Sequence, residues 1–267
     1  MQKQISSIQN PLVKEIVQLQ EKSRTRKKKG LFIIEGVREI SLALKGGYTL
    51  QNILICEEII TLEKANQVID LQDSTDLIII SKEVYQKISH RKTTEGIIAI
   101  AISKEFSLTS LKLPENPLIL IAEAPEKPGN IGALLRTADA ANLDAVIIAN
   151  PKTDLFNPNI IRSSVGCIFT NQIATGSTQD IVNFLNQKKI YAYAAALNEK
   201  SIHYTEVNFK ESSAIIVGTE STGLSTKWLD SATKKIMIPM HGEIDSLNVS
   251  VSAAILIFEA KRQRNLD

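Results

Sequence analysis

The strongest constraint on the fold of this 267-residue chain is a regular alternation of short apolar segments with helical segments. In the second half of the chain the apolar segments are predicted strands, and both faces of these strands are apolar. This is typical of a parallel sheet covered by helices on both sides. The sequence therefore predicts an α/β fold. The segments predicted as strands are LFIIE, ILIC, LIIIS, GIIAIAI, PLILIA, AVIIA, IYAYAAA, AIIVG and IMIP.

A polar stretch with two prolines, SKEFSLTSLKLPENP, interrupts the alternation and is typical of a linker. Hydrophobic residues make up 43% of the sequence, enough to build cores on both sides of this stretch. The predicted parts are an N-terminal helix with a basic segment (residues 1–29), a smaller α/β domain (30–105), a linker (106–116) and a larger α/β domain (117–267).

Neither a membrane span nor a cysteine-based site is indicated. No apolar run approaches the roughly 18 residues that a membrane-spanning helix needs, and the N-terminal MQKQISSIQN lacks the apolar stretch of a secretory signal. A cytoplasmic location is therefore expected. Cys56 and Cys167 lie far apart without C-x-x-C spacing, so we expect buried thiols and no metal site.

The positive charge is concentrated in the first part of the chain. Residues 1–105 hold 16 Lys or Arg against 13 Asp or Glu, whereas the remaining residues hold 15 against 16. The segment KSRTRKKK carries six cations in eight residues, a pattern typical of phosphate-backbone contacts but also of a solvated helix end or a flexible linker. The predicted phosphate contacts are Arg24, Arg26, Lys27, Lys28 and Lys29, together with Arg91 and Lys92.

The stretch PGNIGALLRTADAAN, residues 128–142, predicts a helix with an unusual exposed face. Pro128 and Gly129 suit a turn and Asn130 suits the N-cap, and apolar residues then recur at helical spacing. The opposite face carries Arg136 among glycine and alanine, where a water-facing helix normally carries Lys, Glu or Gln. We therefore expect another molecule to approach this face closely.

Two further predicted strands run into glycine-rich or polar loops. Gly218, Glu220 and Gly223 follow one strand, and Ser246 and Asn248 follow the other. Ligands of open α/β sheets bind outside the carboxyl ends of strands, so these loops and the 128–142 stretch predict one site. Spacing alone also allows Glu220 as a turn or cap residue, and Ser246 and Asn248 as N-caps of the last helix.

The last predicted helix begins with eight apolar residues in ten, over residues 249–258. A helix that is apolar nearly all round must be covered on every side. Two covers are open: the interior of the same chain, or a second subunit. We expect a homodimer.

Taken in order, the three loops resemble the three motifs of the SpoU, or TrmH-like, class of the SPOUT superfamily of RNA methyltransferases. The resemblance covers about residues 117–264, and three motifs in the right order are far more specific than one. The family commonly ends its first helix with Phe-Gly, where this chain has Ala141-Asn142, and asparagine also tolerates a left-handed helix end. The matching residues are Asn130-Ile131-Gly132 with Arg136, Gly218-Thr219-Glu220 with Gly223-Leu224, and Ile238-Pro239-Met240 through Ser246-Leu247-Asn248-Val249-Ser250.

The preceding part, from FIIEGVREISLAL to EGIIAIAI, is similar to the RNA-binding substrate domain that often accompanies this catalytic domain. That similarity fits the positive charge of residues 1–105. It implies ribosomal RNA as the substrate, because a separate substrate domain is associated with that RNA in the family.

The resemblance implies a parallel-sheet domain closed by a trefoil knot, with S-adenosyl-L-methionine as the cofactor and no metal. It also implies methyl transfer to a ribose 2′-hydroxyl. The implied cofactor-binding residues are Leu197, Gly218, Ile238, Met240 and Leu247, and the implied catalytic residues are Asn130, Arg136, Glu220, Ser246 and Asn248.

The role of Arg136 is open between a proton acceptor, as family accounts often have it, and a phosphate clamp. A guanidinium holds its proton too strongly to act readily as a base, so we prefer a clamp that grips the phosphate beside the target ribose. That phosphate, a water molecule or Glu220 then accepts the proton.

Three other functions remain open from the sequence. The chain is alternatively a tRNA 2′-O-methyltransferase or a non-catalytic RNA-binding protein that retains the fold. An unrelated α/β enzyme that binds a small anion at residues 128–132 is the third alternative, but it leaves the other two motifs unexplained.

Overall fold

A computed structural model describes residues 3–69, 76–90, 95–219 and 222–264 of the chain. The protein divides into two compact units, the first formed by Met1–Glu105 and Asp154–Thr170, the second by Phe106–Thr153 and Asn171–Asp267. The sequence pattern did not indicate that Asp154–Thr170 groups with the first unit. The functional domain bounds given above stay a prediction.

The elements alternate along the chain as the pattern predicts. In chain order they are β1 (Lys3–Ile5), α1 (Pro11–Glu21), α2 (Ser23–Lys29), β2 (Leu31–Glu35), α3 (Val37–Lys45), β3 (Leu50–Ile55), α4 (Leu62–Val68), β4 (Asp76–Ile80), α5 (Lys82–Ile88), β5 (Ile97–Ile102), β6 (Leu118–Glu123), α6 (Pro128–Ala140), β7 (Ala145–Ala149), α7 (Pro158–Ser163), β8 (Ile173–Gly176), α8 (Thr178–Lys188), β9 (Tyr191–Ala195), β10 (Ile202–His203), β11 (Ser213–Val217), α9 (Thr226–Ser231), β12 (Lys234–Met237) and α10 (Val249–Gln263).

The first unit is a mixed sheet in the order β1-β4-β3-β5-β2. Strand β5 runs antiparallel to both of its neighbours, whereas β4 runs parallel to β1 and β3. Helix α1 begins at Pro11 because the Asn10 side chain accepts a hydrogen bond from the Leu12 amide at 2.9 Å. Its apolar side chains recur at helical spacing and lie buried against the sheet.

An aromatic cluster packs Asp154–Thr170 into the first unit. The rings of Phe32 and Phe156 are stacked with centroids 4.2 Å apart, and Tyr48 meets Phe169 edge-on at 5.1 Å. The edge-on contact is one of the arrangements that aromatic pairs prefer. The segment is therefore part of this unit's hydrophobic core.

The second unit is a sheet in the order β10-β12-β9-β11-β6-β7-β8, in which every described pair is parallel. The predicted parallel sheet is thus confirmed. Its strands are buried on both faces, as their continuous apolar sequence predicts. The sequence pattern does not predict β10, because a strand of two residues is too short to show the alternation of apolar and polar residues that identifies a strand.

Two details of α6 bear on the site. The helix begins at Pro128 with Lys127 as its N-cap, so the prediction that Asn130 is the N-cap is wrong. Proline suits the first helical position because its fixed φ is preorganised and that position needs no amide donor. Asn142 follows the helix with a φ of +47°, which confirms the left-handed turn predicted for this position.

Helix α10 extends from Val249 to Gln263 and is only partly covered by the chain itself. It packs on α6 and on β11, yet Val251 is 46% exposed and Phe258 is 43% exposed. A fully internal helix is therefore excluded within this chain. No helix of the described residues is long and apolar enough to cross a membrane.

Candidate active site

The three motif loops follow strands whose carboxyl ends lie on the same edge of the second sheet. Strand β6 pairs with β11, with Ala122 opposite Val217, and β12 follows β9 on the far side of β11. Because all of these strands are parallel, the loops that leave them emerge together. The sheet therefore brings the three motifs to one edge.

A hydrogen bond joins the first motif to the third. The Asn248 side chain donates from Nδ2 to Oδ1 of Asn130 at 3.2 Å. Asn248 is also the N-cap of α10, because its Oδ1 accepts from the Ser250 amide at 3.0 Å. The cap interpretation of Asn248 is confirmed, and capping fixes the side chain that contacts Asn130; its catalytic role stays a prediction.

The second motif forms a tight loop that requires glycine at position 218. The Thr219 amide donates to the Gly223 carbonyl and the Gly223 amide donates to the Thr219 carbonyl, both at 3.1 Å. A Cβ on Gly218 would lie 2.3 Å from the Gly223 carbonyl carbon and 2.6 Å from the Leu224 amide nitrogen. No side chain fits there, so the glycine is what lets the two arms of the loop touch.

A cavity of about 350 Å³ opens between the second and third motif loops. Most of its lining residues are apolar, and most of these apolar side chains are half-buried, so a bound ligand would cover them further. Polar groups of Asn198, Thr222 and Asp245 also line it and are not among the residues predicted from the sequence, whereas Thr219, another lining residue, belongs to the second motif. The residues implied to bind the cofactor all line it: Leu197, Gly218, Ile238, Met240 and Leu247.

A second cavity of about 150 Å³ adjoins the first and contains Asn130. The two cavities share Gly218, Thr219 and Val249 in their walls. Glu126 and Lys127, both exposed, also line the smaller one. A ligand in the large cavity and a second molecule at Asn130 would therefore be neighbours.

The remaining implied catalytic residues lie in different surroundings. Ser246 lines the large cavity and donates from Oγ to the Asp245 carboxylate at 3.3 Å. Arg136 is exposed on α6, about 9 Å along the helix axis from Asn130, and lines neither of these two cavities. Glu220 lies outside the described residues.

The basic segment forms helix α2, so the flexible-linker alternative is excluded for these residues. Arg26 differs from its neighbours: it is 4% exposed, donates from Nε to the Asp154 carboxylate at 2.5 Å and donates to the Leu19 carbonyl at 2.6 Å. A buried guanidinium requires such partners. Because they hold the Arg26 side chain inside the protein, it does not reach solvent. The expectation that Arg26 contacts phosphate is therefore wrong.

The other basic residues of α2 face solvent. Arg24, Lys27, Lys28 and Lys29 are exposed, and Lys29 pairs with Glu15 at 2.7 Å. Arg91 and Lys92 lie outside the described residues. Among the residues that the structure describes, no cluster of three or more His, Cys, Asp or Glu is placed to hold a metal ion.

Family models match two parts of the chain. The model of the SpoU rRNA Methylase family matches residues 117–258, and the model of the MRM3-like substrate binding domain matches residues 10–99. All three motifs lie within the first match. Helix α2 lies within the second.

One relative extends this similarity over nearly the whole chain, and another covers little more than half of it. The 23S rRNA (guanosine(2553)-2′-O)-methyltransferase RlmP of Bacillus subtilis is 30% identical over 97% of this chain and 99% of its own length. The tRNA (guanosine(18)-2′-O)-methyltransferase of Thermus thermophilus is 34% identical, but over only 58% of this chain and 79% of its own.

Two solved structures are similar over nearly the full length. An RNA 2′-O ribose methyltransferase has 38% identity and a TM-score of 0.83, covering 98% of this chain and 99% of the other. An rRNA methyltransferase from Sinorhizobium meliloti, solved with AdoMet bound, has 25% identity and a TM-score of 0.88, covering 97% of both chains.

Proposed function

Because the chain belongs to the SpoU rRNA methylase family, we propose that it transfers a methyl group from S-adenosylmethionine to a ribose 2′-hydroxyl of ribosomal RNA. The observation that carries this proposal is the joint site. One cavity is lined by the second and third motifs, and the first motif stands at its edge through the Asn130–Asn248 hydrogen bond.

The large cavity suits the cofactor in chemistry. Apolar side chains at Leu197, Ile238 and Met240 can cover an adenine ring, and the closed loop at Gly218 presents backbone groups without a side chain in the way. When bound, the cofactor supplies a methyl group already activated on a sulfonium, so no metal is required. The protein's task is alignment of the hydroxyl and disposal of its proton.

The polar residues beside the cavity suit the ribose. Asn130 and Asn248 form a fixed pair of amides, and Ser246 lies on the cavity wall. Arg136 grips the phosphate beside the target nucleotide with its planar fork, and that phosphate, water or Glu220 accepts the proton. The trefoil knot of the family belongs to this proposal and stays a prediction.

Ribosomal RNA is favoured over transfer RNA as the substrate, because the relative named for rRNA matches more of this chain than the relative named for tRNA. The relative named for 23S rRNA matches 97% of this chain, including the substrate-binding region. The relative named for tRNA matches 58%. The extra region gives the chain a second surface for RNA.

Methylation mapping tests the proposal. Unmodified ribosomal RNA and unmodified tRNA are each incubated with the protein and S-adenosylmethionine, and 2′-O-methylated positions are mapped. We expect one or a few modified ribose positions in ribosomal RNA. Modification of tRNA alone would favour the tRNA alternative, and cofactor binding without any transfer would favour a non-catalytic RNA-binding protein.

We also propose that the exposed cations of α2 contact RNA phosphates. Replacing Arg24, Lys27 and Lys28 with alanine should weaken RNA binding and make the slope of log affinity against log salt less negative, by roughly one for each phosphate that is no longer neutralised. Cofactor affinity, measured by calorimetry, should stay unchanged.

A charge-matched control comes from the second unit. Lys188, Lys227 and Lys234 are also exposed, and their triple alanine variant should change the salt slope less. If wild type and the α2 variant had equal slopes of log RNA affinity against log salt, α2 would be a solvated helix that does not bind RNA.

The uncovered face of α10 supports a homodimer as part of the proposal. Val251 and Phe258 lie two turns apart on that helix and are nearly half exposed, a pattern that a symmetric partner can cover. We expect a dimer by sedimentation, and Val251→Glu with Phe258→Glu should yield monomers. Tyr191→Glu, at a side chain 43% exposed on β9, should leave the dimer intact; a monomeric wild type would contradict the proposal.

A further inference from the structure

A buried carboxylate at the end of β6 lies outside the three motifs. Glu123 is 7% exposed and is the last residue of the apolar segment LILIAE. Its Oε2 accepts from the Ser225 amide at 2.8 Å, and its Oε1 accepts from the Ser225 hydroxyl at 2.8 Å and from the Thr178 hydroxyl at 3.3 Å. A buried acid is retained where such donors are arranged around it.

The Ser225 contacts fix one end of the loop that lines the large cavity. That loop leaves β11 at Gly218 and returns at Leu224, and Ser225 follows immediately. Ala122 pairs with Val217, so the next residues of these parallel strands, Glu123 and Gly218, continue side by side. Glu123 therefore lies beside Gly218, where the loop begins, and its hydrogen bonds to Ser225 hold the residue at which the loop ends.

The loop that leads to α6, and so to Asn130, begins directly after the same residue. Ala124 follows it with a φ of +44°, and Asn150 follows the neighbouring strand β7 with a φ of +48°. Non-glycine residues adopt this left-handed conformation at a cost, and they keep it only when neighbours hold them there. Asn150 donates from Nδ2 to the Thr178 hydroxyl at 2.8 Å, and that hydroxyl donates to Glu123, so one network holds both turns.

We propose that Glu123 is a positioning residue that sets the distance between the loop at Gly218, which lines the large cavity, and the first turn of α6, which carries Asn130. It touches neither ligand and acts through Ser225 and Thr178. This inference rests on the proposed function, because the two loops matter together only if the cofactor and a ribose meet between them. Loss of the carboxylate leaves the Ser225 amide without its acceptor and lets the cavity wall move.

The test compares Glu123→Gln, Ser225→Ala and the double variant. Glutamine keeps the size of the side chain but replaces one of its two acceptor oxygens with a donor group. We expect the dissociation constant for S-adenosylmethionine, measured by calorimetry without RNA, to rise roughly tenfold in Glu123→Gln. In the double variant the combined effect should be smaller than the sum of the two single effects, because both changes act on the hydrogen bond between the Ser225 hydroxyl and Glu123, whereas the Ser225 amide is present in every variant.

Two further measurements separate positioning from general destabilisation. Ser213→Ala changes another fully buried polar side chain, at the opposite end of β11, and should leave cofactor affinity within about twofold. RNA affinity measured without cofactor should be unchanged in all variants. The midpoint of thermal unfolding, measured for each variant, shows whether a lower cofactor affinity comes from a loss of folding stability.

The inference is overturned if Glu123→Gln binds the cofactor like Ser213→Ala, or if the effects of the two single changes simply add. It is also overturned if the wild type does not bind S-adenosylmethionine. A wild-type protein that binds the cofactor and RNA but transfers no methyl group would instead overturn the proposed function. The cofactor affinities of the variants would then still test whether Glu123 is a positioning residue.

Discussion

Replacing Gly218 with alanine is expected to remove cofactor binding almost completely. The new Cβ would lie 2.3 Å from the carbonyl carbon and 2.4 Å from the carbonyl oxygen of Gly223. These are backbone atoms, so no side chain can rotate away. The two arms of the loop must separate, which opens the wall of the 350 Å³ cavity.

The size of the effect follows from this overlap. Overpacking costs about 1–3 kcal/mol even where side chains can adjust, and here only the backbone can move. We therefore expect the dissociation constant for S-adenosylmethionine to rise about 100-fold or more, with methyl transfer falling in step. Calorimetry gives the first value and a single-turnover assay the second.

Gly242 provides the matched control. It lies in the loop that follows β12, and a Cβ there meets nothing within 4 Å. Gly242→Ala should bind the cofactor like the wild type, because it adds a methyl group to open space and slightly restricts the unfolded chain. Wild-type affinity in Gly218→Ala would mean that this loop does not form the cofactor site.

Local patterns in the sequence predict the strands and the buried face of α6 well. Strands such as β6 and β11 are apolar on both faces, and Ile131, Leu134, Leu135 and Ala138 of α6 are buried at the predicted spacing. These features depend only on short-range periodicity. The five predicted cofactor-binding residues, which all line the large cavity, came from the resemblance, since no period relates Leu197 to Met240.

Long-range partners limit what the sequence can predict. The run KSRTRKKK looks like one exposed surface, but a helix turns one of its six cations inward, and only the fold brings Asp154 to Arg26. Glu123 is a similar case, because LILIAE gives no sign that Ser225, 102 residues later, supplies its donors. Both side chains reveal their roles only through partners that are distant in sequence.

Arg136→Ala is expected to lose roughly 10²- to 10³-fold in the rate of methyl transfer, with cofactor affinity unchanged. Arg136 is exposed, and among the described residues it has no ion pair or hydrogen bond that an alanine would break. Its loss should therefore cost little folding stability. As the control, Arg262→Ala removes an exposed arginine that pairs with Glu259 on α10 and should keep the wild-type rate.

Arg136→Lys separates the phosphate clamp from the proton acceptor. Lysine keeps the positive charge but loses the planar fork that binds two phosphate oxygens at once, so the clamp predicts an intermediate rate. A clamp takes no part in the proton transfer. The pH–rate profile of the lysine variant should therefore have the wild-type midpoint at a lower amplitude.

A proton acceptor at position 136 predicts a different profile. The midpoint of a general base follows the group that carries the proton, so changing guanidinium to ammonium should move it. Single-turnover conditions are needed, because slow product release would otherwise hide the chemical step. A shifted midpoint in Arg136→Lys would rule out the clamp. An unshifted midpoint leaves the phosphate, water or Glu220 to take the proton, and Glu220→Gln would then tell the carboxylate from the other two.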